Sequence, residues 1–236
     1  KVAGGAEYDD EGNLTSLTPA NFILGFGKID ERDVIVGGED FTVKGGSPNA
    51  AGLRKSVYTE DLAVKHKFPL VRLHEGGGGS VAGPSKEKKG YGGDPVFARS
   101  RFKSVAQTLK EVPVVSAALG PVAGLPASRF VGSHFRIMVK DNAQILVAGP
   151  AVVSRAFGKD FTKEELGGSD VHKKNGVTDN IAESEEDAFN QIKKFLSFFP
   201  ANIYELPPKK DSKDQTDRSE KILEEIIPKD RKKTYE

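Results

Sequence analysis

The chain has 236 residues, with 35 basic against 34 acidic side chains, 37% hydrophobic residues and no cysteine. The charge balance argues against a broad nucleic-acid surface, and the missing cysteine excludes disulfides, thiolate metal sites and a cysteine nucleophile. The longest uncharged run, residues 112–128, carries three prolines and two glycines and is too short and broken to cross a bilayer.

The first 20 residues are polar and Gly-rich, which predicts coil. Because the sequence opens on K-V-A-G-G-A-E with no initiator Met, it reads as a piece of a longer chain. Residues 21–28 and 33–39 are short apolar runs around Ile29-Asp30-Glu31-Arg32, the pattern of a hairpin. A third run, residues 41–44, predicts a strand ending at Gly45-Gly46-Ser47. Ser47 is then a candidate N-cap for a helix over 48–66, with Pro48 in its first turn. Residues 69–74 predict a strand that leads into the loop Gly76-Gly77-Gly78-Gly79. A helix over 94–110 follows, with Ala98, Phe102, Val105, Ala106 and Leu109 on one face.

The stretch P-V-V-S-A-A-L-G-P-V-A-G-L-P, residues 113–126, organises the rest. It begins as a buried strand and ends in a turn, Gly120 to Pro126, before a helix predicted over 127–135. Pro126 suits the first helical turn, where an N–H has no intrahelical partner anyway. The N–H groups of Gly124 and Leu125 then stand free at a helix start, where the dipole favours negative charge. Such donors suit a developing oxyanion. Strands are predicted at 136–140 and 143–148, and short helices from Gly149-Pro150 and from Thr162, the latter stopping at Gly167-Gly168. Ser184 caps a last long helix, with Ala188, Ile192, Phe195, Leu196 and Phe199 inward. Residues 205–236 hold 18 charged side chains among 32, a solvated segment with one short helix at 219–227. The predicted organisation is α/β: one domain over residues 1–200, then a charged linker over 201–236.

Side-chain chemistry is sparse. Ser80 and Ser133 lack the G-x-S-x-G setting of a serine nucleophile. His66, His74, His134 and His172 lack metal-ligand spacing, so no metal site is expected. Glu164-Glu165 can supply a general base or merely complement a helix dipole. The four-glycine loop fits neither a phosphate loop nor a dinucleotide fingerprint. What remains is two backbone-rich turns and chemistry by oxyanion stabilisation.

Several segments together resemble the β-type carboxyltransferase of biotin-dependent acyl-CoA carboxylases, the acetyl-, propionyl- and methylcrotonyl-CoA carboxylase family. These are N-F-I-L-G-F-G-K-I-D from Asn21, D-F-T-V-K-G-G-S ending at Ser47, P-L-V-R-L-H-E-G-G-G-G from Pro69 and P-V-V-S-A-A-L-G-P-V-A-G from Pro113. Further on come I-M-V from Ile137, Gly149-Pro150, and E-E-L-G-G-S-D-V-H from Glu164. They run in order over residues 20–200. The resemblance implies a crotonase-like fold of stacked ββα units, the N-terminal, acyl-CoA-binding half of a longer subunit. It implies an enolate held by the N–H groups of Gly124 and Leu125, with Gly77, Gly78, Gly79 and Ala123 lining the acyl-CoA site. Biotin is then carried by a partner, a biotin carboxyl carrier or biotin carboxylase subunit. A homo-oligomer, dimer or hexamer, is also implied, with no role for nucleic acid or membrane and a soluble intracellular setting, cytoplasmic or mitochondrial. Two departures stand out: Leu125 replaces the family's second glycine, and the glycine loop lacks the family's arginine. Another crotonase-type hydratase or isomerase, or a non-catalytic CoA-binding scaffold, remain alternatives.

Overall fold

Runs rich in Val, Ile and Leu favour extended chain, and the central strands of the sheet fall on such runs. The computed structural model describes residues 4–78 and 101–234. Contrary to the coil expected at the start, β1 (Gly4–Tyr8) and β2 (Leu14–Pro19) form an antiparallel pair of their own. Asp9 makes this turn: its carboxylate accepts the N–H groups of Glu11 and Asn13, at 3.1 and 2.7 Å. Local side-chain bonding of that kind is what lets a polar stretch reverse.

The predicted hairpin is β3 (Phe22–Ile29) and β4 (Arg32–Glu39), paired in register Phe22↔Glu39 to Ile29↔Arg32. Asp30 and Glu31 both take positive φ, 47° and 63°, the pattern of a type I′ turn that matches strand twist. Residues 41–44 are not a strand. Asp40 Oδ1 accepts from the Thr42 N–H at 3.0 Å and its hydroxyl, which turns the chain into a 3₁₀ turn, Lys44–Gly46.

Helix α1 (Ala50–His66) starts two residues later than predicted, and Asn49, not Ser47, caps it, through Asn49 Oδ1 and the Gly52 N–H at 2.6 Å. Pro48 holds Ser47 extended, and the Ser47 hydroxyl is used elsewhere, donating to Gly78 O at 2.7 Å. Strand β5 (Leu70–Gly76) follows. The next described helix is α2 (Arg101–Glu111); residues 94–100, including Ala98, and the loop residues Gly79 and Ser80 lie outside the described residues. Its buried face is Ser104, Val105 and Thr108, while Phe102 and Ala106 are exposed. The predicted face is therefore rotated. Burial of Thr108 is tolerated because its hydroxyl bonds back to Ser104 O at 2.9 Å.

Strand β6 (Val114–Ala123) runs past Gly120 and Pro121, longer than predicted, and helix α3 (Leu125–Val131) starts and stops earlier than expected. Then come β7 (Phe135–Val139), β8 (Gln144–Leu146), α4 (Pro150–Phe157) and α5 (Lys163–Gly167). A further helix α6 (Ser169–Asn175) and strand β9 (Asn180–Ala182), neither foreseen, lead to α7 (Glu185–Leu196). Ala188, Ile192 and Leu196 of α7 are buried, while Phe195 and Phe199 are half-buried and stack in a row with Phe135. Arg32 donates to Leu196 O and to Phe199 O, the latter at 2.7 Å, satisfying carbonyls at the end of α7.

The main sheet has the order β3-β4-β5-β6-β7-β9, with β8 paired to the far end of β6. All pairs after the hairpin are parallel. Its two faces carry separate cores. One gathers Val115, Phe130, Ile137, Met138 and Ile192; the other gathers Ile35, Leu62, Leu70 and Val114 under α1. Contacts divide the chain into Lys1–Leu206 and Pro207–Glu236. Among the described residues the second unit holds one helix, α8 (Ile222–Glu225), shorter than the helix predicted over 219–227.

Candidate active site

Strand β6 carries the site. Val114 to Ala118 are buried and pair regularly with β5 up to His74↔Ala118. The next pair is Gly76↔Val122, so residues 119–121 stand opposite Glu75 alone. A bulge of this kind re-aims a strand. Gly120 lies directly under the Glu75 carboxylate, where a Cβ would come within 2.6 Å of Oε1. Beyond the bulge, Pro121, Val122 and Ala123 pair with Gln144, Ile145 and Leu146 of β8, and the strand is delivered to Gly124.

Gly124 has φ 65° and ψ −125°, a conformation essentially closed to side chains. The expectation that its N–H is free is corrected: it donates to Leu146 O at 3.1 Å, continuing the β6–β8 ladder by one rung. Its carbonyl accepts from the N–H and the hydroxyl of Ser128, at 3.0 and 3.2 Å. The turn is thus fixed from both sides. The Leu125 N–H, first of α3, has no hydrogen bond among the described residues. Pro126 follows inside the first turn and brings no donor of its own.

Three backbone turns are layered here. Gly46, at φ 65°, lies so close to Gly76 that a Cβ on it would be 2.6 Å from the Gly76 Cα. The Gly77 N–H donates to Gly45 O at 2.8 Å. A Cβ on Gly78 would touch Ala123 C and O and the Gly124 Cα, each at 3.4 Å. The structure therefore brings Gly78 against Ala123 and Gly124, while Gly77 lies against Gly45 and Ser47. The Gly78 N–H has no hydrogen bond among the described residues, and its carbonyl is fixed by Ser47. The bracing turn at Gly45-Gly46 was read from sequence only as a strand end; two consecutive glycines before a capped helix were the available signal.

Beneath the turns lies a polar network that sequence reasoning missed. Glu60 Oε1 of α1 accepts from Arg129 Nε of α3 at 2.9 Å and from Arg72 Nη2 of β5 at 3.0 Å. Arg72 Nη1 donates to Arg129 O at 3.0 Å and Gly132 O at 2.9 Å. Burial, reinforced by the nearby Arg129 charge, lowers the Arg72 pKa to about 10 despite the opposing pull of Glu60. Alongside, Glu39 Oε2 lies 3.0 Å from His74 Nδ1, His74 Nε2 lies 3.4 Å from Ser116 Oγ, and Ser116 Oγ lies 2.7 Å from Ser133 Oγ. Burial pushes the Glu39 carboxyl up, but His74 and then Arg129 more than offset this and hold it below the usual range. This row has the residue order of a hydrolytic triad, yet Ser116 is fully buried and presents no nucleophile to a substrate. The signal in the sequence was a charged residue at apolar positions, Arg72 within L-V-R-L and Glu60 on the inward face of α1.

The other sequence candidates have local duties. Ser133 and His134 do not bond each other; His134 Nδ1 accepts the Val114 N–H at 3.0 Å. Glu165 completes a capping box with Thr162, and Glu164 accepts from Gln144 Nε2 at 3.0 Å. His66 packs edge-on against Phe26, and His172 lies 2.8 Å from Ile145 O. A small surface depression lies beside Pro126, lined by Asn21, Glu39, Gly46, Pro48 and Arg129.

An α/β sheet whose strand ends carry layered glycine turns at a helix start is the crotonase-like arrangement of carboxyltransferases. Among solved structures it is similar to transcarboxylase 12S with methylmalonyl-coenzyme A and methylmalonic acid bound, described as a hexamer assembly. That similarity has a TM-score of 0.66 and 28% identity, over 93% of this chain and 42% of that one. It is also similar to a single-chain, multi-domain long-chain acyl-CoA carboxylase, with a TM-score of 0.64 and 25% identity over 76% of this chain and 18% of that one. Residues 7–236 match the carboxyl transferase domain, and the chain belongs to that family. Its relatives include the alpha subunit of methylmalonyl-CoA decarboxylase of Veillonella parvula, 33% identical over 207 residues, 87% of this chain and 39% of that one. Another is the carboxyltransferase subunit of propionyl-CoA carboxylase of Haloferax mediterranei, 32% identical over 94% of this chain and 42% of that one. The chain spans about two fifths of the length of these curated relatives.

Proposed function

We propose that this chain is the acyl-CoA half of a biotin-dependent carboxyltransferase. The observation that carries the reading is the Leu125 N–H, unbonded among the described residues at the start of α3 and within reach of the Gly78 turn. An acyl-CoA thioester seated there places its carbonyl oxygen on Leu125 N–H, with Gly78 N–H as second donor. Gly124, committed to Leu146, shapes the turn instead of donating to the substrate. Loss of a proton from the carbon beside the thioester carbonyl moves charge onto that oxygen. Fixed N–H dipoles at a helix start stabilise the resulting enolate, and removing one such donor costs about 2.7–4 kcal/mol in related settings.

Loss of CO₂ from a malonyl-type thioester produces the same enolate, so one oxyanion site serves both directions. That symmetry accommodates relatives named as a carboxylase and as a decarboxylase. Their names, and the methylmalonyl-coenzyme A held by transcarboxylase 12S, favour the propionyl-CoA and methylmalonyl-CoA pair as substrates. Biotin, carried by a partner, supplies or accepts the carboxyl group; residues of this chain bind and orient the thioester. We further propose residues 201–236 as a linker and a homo-oligomer as the working state.

The test is carboxyl transfer by the full-length subunit between propionyl-CoA and a biotinylated partner, with titration by each CoA ester. Binding with turnover is expected. Binding without turnover favours a CoA-binding scaffold, and the Leu125 side chain, where the family has glycine, is then the first suspect.

A further inference from the structure

Helix α3 has only seven residues, and most of its backbone donors and acceptors lie outside its own ladder. Its direction, and with it the aim of the Leu125 N–H, is therefore set by whatever grips it from outside. Besides the packing of Ala127 and Phe130 in the core, two polar grips are visible. Arg72 holds its C-terminal end through Arg129 O and Gly132 O. Glu60 holds its flank through Arg129 Nε, and the same carboxylate oxygen holds Arg72. Arg129 lies four residues after Leu125, one turn along the same helix face. All three residues are at most 3% exposed.

We propose that Glu60 is a positioning residue for the oxyanion turn: by fixing Arg129 and Arg72 together it sets where the Leu125 N–H points. The inference rests on the reading of that N–H as the thioester donor. Stability alone does not explain the cluster. Buried ion pairs are generally no better than apolar side chains of the same volume. This one also leaves Glu60 Oε2 and Arg129 Nη2 buried without a hydrogen-bond partner among the described residues. An apolar plug would fill the space but let α3 rotate, whereas a forked guanidinium between two fixed oxygens does not. Orientation matters because a misplacement of about 1 Å can cost roughly a hundredfold in rate.

The test uses the full-length subunit with propionyl-CoA labelled with carbon-13 at the thioester carbonyl. Isotope-edited difference infrared spectra report how strongly the bound carbonyl is polarised, calorimetry gives Kd, and carboxyl transfer gives kcat and KM. In the double variant Glu60→Gln/Arg129→Gln, which removes one charge of each sign and leaves Arg72 on the carbonyls of residues 129 and 132 with an amide oxygen at position 60, the carbonyl shift should fall by at least half. Turnover should fall by about 10- to 100-fold, with Kd changed less than threefold. Arg129→Lys, which keeps the charge and loses the Nε donor, should behave alike and carries the test if the double variant does not fold. Asp179→Asn, which breaks the peripheral pair with Arg136, should leave all three readings unchanged. A folded variant with the wild-type carbonyl shift and kcat overturns the role of Glu60. A wild-type subunit that binds propionyl-CoA with no carbonyl shift overturns the oxyanion reading itself.

Discussion

Replacing Gly124 with Ala tests the geometry of the turn. At φ 65° and ψ −125° an Ala is strained by about 1–3 kcal/mol. The turn cannot relax without loss, because its N–H is tied to Leu146 O and its carbonyl to Ser128, and each net hydrogen bond is worth roughly 1 kcal/mol. Two limits follow. If the turn holds, the strain appears as stability, a fall in Tm of about 2–12 °C at roughly 2–4 °C per kcal/mol. If it gives way, the 124–125 peptide rotates and carries the Leu125 N–H out of line, a loss of about 10²–10³ in turnover. The expected result is both together: a lower Tm and at least about a hundredfold loss of carboxyl transfer, with acyl-CoA affinity much less affected. Thermal melts and steady-state kinetics of the full-length subunit measure this. A Gly124→Ala protein with wild-type Tm and turnover would refute the reasoning.

Gly46→Ala should act at a distance. With positive φ and a Cβ 2.6 Å from the Gly76 Cα, it must push the Gly76–Gly78 turn away, lowering stability by about 2–4 kcal/mol in urea unfolding and raising KM. An unchanged KM would show that this turn does not touch the substrate. Phe130→Ala, in a fully buried site under α3, should cost about 3–5 kcal/mol; a smaller loss would mean that the core collapses around the gap. His134 titrates below its usual value, chiefly through burial and then the Arg72 charge, against the pull of the Leu109 carbonyl. Its neutral form, which accepts the Val114 N–H, is the folded form. The unfolded chain therefore takes up a proton first, and stability is complete above about pH 6.5 and falls as pH drops through the lower folded value. Urea midpoints from pH 7.5 to 5.5 should decline, and His134→Asn, which keeps an acceptor, should flatten that slope. An equal slope in both proteins removes His134 from the account.

Local patterns were the most legible part of the sequence. The hairpin around Asp30-Glu31, the Thr162 and Ser184 caps and the apolar face of α7 depend on residues within a few positions of one another. The boundary errors have a common cause in longer-range pairing. Strand β6 outruns its turn-like G-P because β8, more than 20 residues later, supplies partners for residues 121–123. The first strands escaped notice because β1 and β2 pair only with each other and bury little. The two glycine turns of the site were visible as residues, but which N–H each turn keeps free was not. That depends on Leu146 reaching Gly124 and Gly45 reaching Gly77, contacts with no local signature. The Glu60–Arg72–Arg129 cluster was hidden for the same reason, since its members lie 12 and 57 residues apart in the chain.

The central claim is that the thioester oxygen sits on the Leu125 N–H. A crystal structure of the full-length subunit with a bound propionyl-CoA analogue tests it most directly. The account predicts the thioester oxygen about 2.7–3.1 Å from Leu125 N, with the Gly78 N–H on its other side. A thioester bound with its oxygen turned away from Leu125, or in another part of the fold, would contradict it.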